Sequence, residues 1–482
     1  MINRFYMSNS YRLSFNWISG LFIALFCAGQ LGGQSYKIKV NIRNYKNDTL
    51  LLGYYFGDKQ YIKDTAYKSK SGTFTFEGDT ILEHGMYIVV TQPDHNFFQI
   101  LLDDHQKFSI ETSLDSLNEH LKFQGSKLNT DFNDYIDFLS SRRVEADSIS
   151  KQLRTTEDKE TQARLKKRLE IIDEEVRHRQ ESTIRQQPTS LLSLIIKWSR
   201  DVQIPDFTGL TDQERNQKAF DYYKEHYFDY VDFKDARNVR IPLFFQKVDR
   251  YIQKLTLQHP DSINYSLDIV LQQMAPGSEN LKFWLSNALN TYANSKYVGM
   301  DGVYVHLVEN YYAKGKAPWI DEENLAKMVR DAKALKPLLI DKIAPDIQLF
   351  KMDSSTIRLH EVTSPYTVLI FWTPDCPHCK KSMPHVKEFY NKFKSKGVEV
   401  MAVCSQIGTE AKKACSEGIE QLHMQELLNA YDPGHGSRFK LIYDLKTTPQ
   451  IYILDQNKKI LTKKIGAEQL EDIMDKILNM KE

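Results

Sequence analysis

Cysteine is scarce: five residues in 482, too few for a disulfide scaffold in a chain this long. An excess of either charge is missing as well, because 64 Lys+Arg stand against 63 Asp+Glu for a formal net charge of +1. No bulk field then favours a polyanion, and no nucleic-acid partner is expected. Beyond the N-terminal segment, no apolar run reaches the ~20 residues that an α-helix needs to span a bilayer. A fixed repeat period is absent too, which argues against a solenoid. What remains is a globular chain long enough for about three domains at ~150 residues each.

The N-terminus carries Arg4 and Arg12, a mostly apolar stretch from Trp17 to Ala28, and then Gly29, Gly32 and Gly33. A basic start, a short apolar core and small residues after it form the layout of a secretory signal peptide. Residues 1–34 are therefore expected to be a signal peptide cut between Ala28 and Ser35, leaving a soluble protein in an exported, periplasmic compartment. The alternatives are an uncleaved anchor and a lipid attached through Cys27, the latter disfavoured by the bulky Phe26 before it. Cleavage would leave four cysteines, which are expected to act as local devices.

From Tyr36 to Arg43 the residues alternate strictly, with Tyr36, Ile38, Val40 and Ile42 on one face and Lys37, Lys39, Asn41 and Arg43 on the other. That is a half-buried strand. Similar runs at Leu50 to Phe56, Thr73 to Phe76, Met86 to Thr91, Phe97 to Leu102 and Lys107 to Glu111 predict an all-β, sandwich-like domain over 35–128. The period then turns helical, predicting a mostly α-helical domain over 129–336. Arg142 to Gln187 contains no proline or glycine, and Leu165, Leu169, Ile172 and Val176 share one stripe. A long amphipathic helix packed on its own domain is expected there, with a coiled-coil partner surface as the alternative. Aromatic pieces at Phe220 to Tyr223 and Tyr227 to Tyr230 read as core or helix contact, with a peptide groove as the alternative.

Two prolines, Pro337 and Pro345, bracket a connector near Lys336 to Pro345, and the pattern beyond it changes again. Tyr366 to Trp372 is a continuous apolar run, as expected of a strand buried on both faces. Met383, Val386, Phe389, Tyr390 and Phe393 follow at helical spacing, and Val398 to Cys404 is another strand. Gln450 to Leu454 and Lys459 to Ile465 form an antiparallel pair, and Ala467 to Leu478 closes with a helix. An α/β fold over 337–482 is predicted.

Between the first strand and its helix lies Cys376-Pro377-His378-Cys379. A thiolate at a helix N-terminus is stabilised by unpaired N–H groups and the helix dipole, so its pKa falls below the free value of ~8.5. Cys376 is then the attacking thiol, and Cys379, one turn on, the resolving one. No second CxxC or His pair completes a zinc site, and Lys380 stands where haem attachment needs histidine. Neither a metal nor any other cofactor is expected. Thr373 three residues before Cys376 mimics a peroxiredoxin-type peroxidase, but that family's upstream proline would fall at Leu369.

Together these residues resemble the thioredoxin superfamily in its exported TlpA/ResA-like branch. Ala344-Pro345-Asp346 with Leu349 is similar to that branch's leading segment, Phe371-Trp372 precedes the active site, Pro384 lies in the helix, and Thr448-Pro449 matches the cis-proline loop. Less distinctly, the N-terminal two thirds resemble accessory domains of some bacterial envelope proteins. The resemblance implies substrate binding by Thr448 and Pro449 and tuning of the dithiol by Trp372, Pro377 and His378. It also implies disulfide-containing envelope proteins and a membrane electron donor as partners. Two positions depart from the family. Ile370 replaces the buried acid of thioredoxins and Ser382 the glutamate of some branch members, leaving Glu388, Glu399 or solvent to handle the proton. Pro377-His378 is the dipeptide of oxidising DsbA-type proteins, whereas the branch is mostly reductive. Cys404 and Cys415 are read as two half-buried thiols or one local disulfide, with an electron relay as the sharper alternative. The expectation is an exported thiol-disulfide oxidoreductase, more reductase- or isomerase-like than oxidase; the rival is an envelope binding or scaffold protein with a secondary redox module.

Overall fold

The computed structural model describes residues 35–479 apart from positions 433 and 435. The signal-peptide reading, including Cys27, lies outside the described residues. The chain divides into two compact units, one ending at Leu255 and the other starting at Thr256.

In the first unit, strands β1 (Tyr36–Arg43), β2 (Thr49–Phe56), β3 (Lys59–Tyr67), β4 (Phe74–Gly78), β5 (Gly85–Thr91), β6 (Phe97–Leu102), β7 (Lys107–Ser113) and β8 (Lys122–Gln124) make two four-stranded sheets. Their orders are β4-β1-β7-β8 and β3-β2-β5-β6. The alternation of β1 is what builds the core: Ile38 and Val40 are buried against Leu52, Phe74 and Phe98 while Lys37 and Lys39 face out. Strand β3 is an unexpected addition. It is an edge strand whose Lys59, Tyr61, Ile62 and Lys63 are exposed, so it carries no burial alternation to read.

Helices α1 (Lys127–Thr155), α2 (Lys159–Gln186), α3 (Leu191–Ser199), α4 (Asp212–Glu225) and α5 (Pro242–Lys254) complete this unit. The stretch from Arg142 to Gln187 is not one long helix. It breaks at Thr156 to Asp158 and folds back, because Asp158 accepts from the Thr161 N–H at 2.8 Å. Such an N-cap is worth ~1 kcal/mol and starts a new helix without proline or glycine. The stripe then closes on its own chain, with Leu165, Leu169 and Ile172 packed on Ala146 and Ile149. Arg168 spans the seam to Glu145 at 2.6 Å. The second aromatic piece interlocks as core contact, Phe228 meeting Phe233 at 5.0 Å and Tyr251 at 4.7 Å between ring centroids, while Phe220 of the first is exposed.

The second unit begins with α6 (Pro260–Leu271), α7 (Glu279–Ala293), α8 (Asp301–Leu307) and α9 (Glu322–Leu335). Its sheet contains β9 (Gln348–Lys351), β10 (Thr356–Arg358), β11 (Tyr366–Trp372), β12 (Val398–Cys404), β13 (Leu428–Tyr431), β14 (Gln450–Asp455) and β15 (Ile460–Lys463), in the order β10-β9-β13-β12-β11-β14-β15. Helices α10 (Pro377–Phe393), α11 (Ala411–Gln421), α12 (Phe439–Ile442) and α13 (Leu470–Asn479) join them. Strands β11, β12 and β13 are parallel, while β14 runs antiparallel to β11. Every residue of β11 is buried. Val368, Ile370 and Trp372 pack with Met383, Val386 and Phe389 of α10 on one face. Leu369 and Phe371 pack with Phe439 and Tyr443 on the other. Two covered faces explain the unbroken apolar run and make the central strand a rigid support for whatever follows it.

Candidate active site

The chain leaves the sheet after Trp372, and the cysteine pair sits where α10 begins. Cys376 is the N-cap of α10, and its Sγ accepts from the Cys379 N–H at 3.2 Å. Pro377 occupies the first helical position, where its missing N–H costs nothing and its fixed φ suits the helix. The two thiols are unjoined, with Cys376 partly accessible and Cys379 buried.

Their surroundings push the two thiols apart. Partial burial acts to raise Cys376, but hydrogen bonds from the Thr448 and Cys379 side chains and from the Cys379 and His378 backbone N–H groups outweigh it, leaving the thiol below its ordinary pKa. For Cys379, burial dominates and the neighbouring Cys376 adds to it, pushing the thiol up to about 11. The pair is thus tuned in opposite directions, the accessible sulfur toward thiolate and the buried one toward thiol.

Thr448-Pro449 is a cis peptide and lies against the pair. The Cys376 Sγ–H donates to the Thr448 carbonyl at 3.3 Å. On ionisation the sulfur loses that bond and keeps those it accepts. The Thr448 and Thr373 hydroxyls stand 3.5 Å apart, so the cis-proline loop meets the active-site loop at Thr373 and at Cys376.

Other expected residues are placed less evenly. Trp372 is buried in the core directly before the site, whereas Pro377 and His378 are exposed. His378 reaches the Cys376 sulfur through its backbone N–H, and its imidazole is not among that sulfur's partners in the described residues. Ile370 is part of the apolar core. Glu388 is exposed, twelve residues along α10 from Cys376, which is about 18 Å at ~1.5 Å per residue. Glu399 pairs with Thr367, five residues before Trp372 and roughly 16 Å down the sheet at ~3.3 Å per residue. Neither carboxylate is brought to the dithiol.

Beside the site, Cys404 and Cys415 are joined by a disulfide with Cα atoms 6.1 Å apart. Cys404 is in register with Trp372, so the bridge ties α11 to the strand neighbouring the active-site strand. One turn after Cys415, Gly418 lies so close to the site that a Cβ there would meet Trp372 Cη2 at 3.0 Å and Pro374 Cβ at 3.1 Å. Gly418 and Pro374 were not legible as site elements, because their contact depends on how α11 packs.

Comparison with known proteins gives a consistent result. A Redoxin family model matches residues 340–478, and two domains of unknown function, DUF4369 and DUF5106, match 36–132 and 175–335. The chain is 30% identical over 141 residues to the thiol-disulfide oxidoreductase ResA of Bacillus cereus, covering 29% of this chain and 78% of that protein. ResA of Bacillus anthracis matches at 30% over 143 residues, with the same coverage. A crystal structure of a domain of a possible thiol-disulfide isomerase from Cytophaga hutchinsonii is 31% identical, covering 30% of this chain and 96% of that one, at a TM-score of 0.28. With its dithiol capping the helix after a doubly buried strand and its cis-proline loop alongside, this chain belongs to the thioredoxin superfamily as a ResA/TlpA-like member carrying additional N-terminal domains.

Proposed function

We propose that the protein is an exported thiol-disulfide oxidoreductase that exchanges disulfides with envelope proteins through Cys376 and Cys379. The observation that carries this reading is the opposed tuning of the pair: Cys376 accessible and lowered, Cys379 buried and raised to about 11.

In the reductive direction, the Cys376 thiolate attacks one sulfur of a substrate disulfide. An S–S bond forms between enzyme and substrate, and the other substrate sulfur leaves as a thiolate. Cys379 then gives up its proton and attacks Cys376. The enzyme disulfide forms and the second substrate thiol is released, so two electrons pass from enzyme to substrate. The emerging substrate thiolate and solvent are the proton acceptors for Cys379, since Ile370 and Ser382 provide no carboxylate. Thr448 and Pro449 align the substrate chain beside Cys376. Re-reduction then falls to a separate electron donor.

Net reduction or isomerisation is the direction we favour, because the exposed His378 imidazole is not seated on the Cys376 sulfur, where its charge would stabilise the thiolate and make the disulfide more oxidising. The potential decides it. Thioredoxin and DsbA differ by ~150 mV, about 7 kcal/mol for two electrons, and a value near DsbA would reverse the assignment. Insulin reduction compares the wild type with Cys376→Ser. Turnover lost in the variant supports the reading; equal background rates in both would favour a scaffold role for the N-terminal domains.

A further inference from the structure

Within the second unit, a cleft of about 410 Å³ opens next to the cis-proline loop. Its walls come from the turn between α7 and α8, from Asp331 and Leu335 of α9, and from the segments around Lys446 and Lys464. Lys446 lines the cleft two residues before Thr448, within about 7 Å along even a fully extended chain. Lys464 lines it as well, and its N–H donates to the Ile451 carbonyl at 2.8 Å, two residues after Pro449. The cleft therefore lies beside the backbone on both sides of Thr448-Pro449.

The site is built rather than incidental. Its floor is the buried Lys463, whose ammonium binds Asp301 at the start of α8 and the Leu338 carbonyl. Those bonds fix the helical wall to the edge of the sheet before any partner arrives. On the lip, Tyr297 is 79% exposed and Val298 43% exposed, a pair of apolar side chains side by side in water. Lys464 stands at a φ of 54°, a left-handed conformation that glycine adopts more easily, so its side chain is carried there at an energetic cost.

Charge sets the occupant. Asp301 is taken by Lys463, and Asp444 by Lys446 at 3.3 Å. Lys296 and Lys464 are exposed and have no ion-pair or side-chain hydrogen-bond partner among the described residues. Asp331, partly buried, is the remaining acid in the lining. The lining thus carries four lysines against three aspartates, and its exposed rim presents Lys296 and Lys464 around an apolar step.

We propose that this cleft is the specificity site for the protein substrate, taking an extended segment with acidic residues and an apolar side chain next to the cystine that Cys376 attacks. The inference rests on the thiol-exchange reading for the identity of its occupant. The cation pair would favour carboxylates through rim electrostatics, while Tyr297 supplies a rigid contact surface.

The test uses the full mature protein and two fluorescent peptides, identical except for glutamates or lysines around one position, with serine in place of cysteine so that binding is read without turnover. Anisotropy should show the glutamate peptide bound about tenfold tighter than the lysine peptide, as two rim ion pairs together allow. Lys296→Glu with Lys464→Glu should abolish or invert that preference, and Tyr297→Ala should weaken both peptides. Turnover of hydroxyethyl disulfide, a neutral probe too small to reach the cleft, should be unchanged in all variants, which also shows that they fold. Equal affinities in the wild type, or a preference that survives the double substitution, would overturn the proposal. A wild type that shows the preference yet fails on hydroxyethyl disulfide would support the cleft and refute the thiol-exchange reading.

Discussion

Gly418→Ala sets two well-understood effects against each other. Gly418 lies inside α11, where alanine is favoured over glycine by ~1 kcal/mol in an unobstructed helix. The new methyl would sit 3.0 Å from Trp372 Cη2 and 3.1 and 3.2 Å from Pro374 Cβ and Cγ, well inside the ~3.5–4.0 Å of a relaxed carbon contact. Neither neighbour yields easily: Trp372 is fully buried, and the Pro374 ring cannot rotate away. Overpacking of this kind costs about 1–3 kcal/mol, so the variant should be less stable than wild type by roughly 0–2 kcal/mol once the helix gain of ~1 kcal/mol is subtracted. Pro374 is two residues from Cys376, so the displacement should also change the Cys376 titration followed by thiolate absorbance. Adding Trp372→Phe removes Cη2 and should recover part of both losses, a coupling that a double-mutant cycle measures. A Gly418→Ala protein that is more stable by about 1 kcal/mol, with Cys376 titrating as before, would show that α11 does not brace the active-site loop.

Alkylation of the reduced protein by iodoacetamide should fall on Cys376 with a midpoint below the ordinary thiol value of ~8.5, because a lowered pKa exposes thiolate at lower pH; Cys379, raised to about 11, should stay unlabelled at neutral pH. Mass mapping that finds Cys379 modified first would contradict the assignment of roles. Replacing both Cys404 and Cys415 by alanine opens a loop of sequence separation 11 and should lower stability by about 3 kcal/mol, seen as a shifted urea midpoint; a shift below ~1 kcal/mol would mean that the unfolded chain is little constrained by the bridge. Asp301→Ala strands the buried Lys463 ammonium and should cost about 3–5 kcal/mol. Lys463→Met in that background should restore most of it, and failure to do so would point to a packing loss instead of an unpaired charge.

Much of the catalytic half was readable because its signals are local. The run from Tyr366 to Trp372, the dithiol after it and Pro384 on the helix are contiguous in sequence, and Thr448-Pro449 needed only a single dipeptide. Strand β3 is not legible in the sequence because an exposed edge strand has no buried face to impose a period of two. The turn at Thr156 to Asp158 is hard to read from the sequence because an aspartate cap carries no proline or glycine. Cys404 and Cys415 could be paired only as one option among several, since the bridge depends on α11 lying against β12. Lys463 and Asp301 are separated by 162 residues, and nothing local in either segment announces the other. Glu388 and Glu399 show the converse: both follow Cys376 within one helix and strand of sequence, yet neither is brought to it in the fold.

The bridge between Cys404 and Cys415 also constrains how this protein can be kept working. One sulfur couple follows β11 at the start of α10 and the other joins β12 to α11, and turnover as a reductase requires the first to be recharged with electrons while the second stays oxidised. Cys404 and Cys415 are almost wholly buried, so an incoming donor meets Cys376 first and the bridge is protected kinetically by access. Its formation, however, needs an oxidant at the time of folding. The enzyme that we propose returns disulfides to thiols would then itself be a product of the oxidising pathway whose other products it edits.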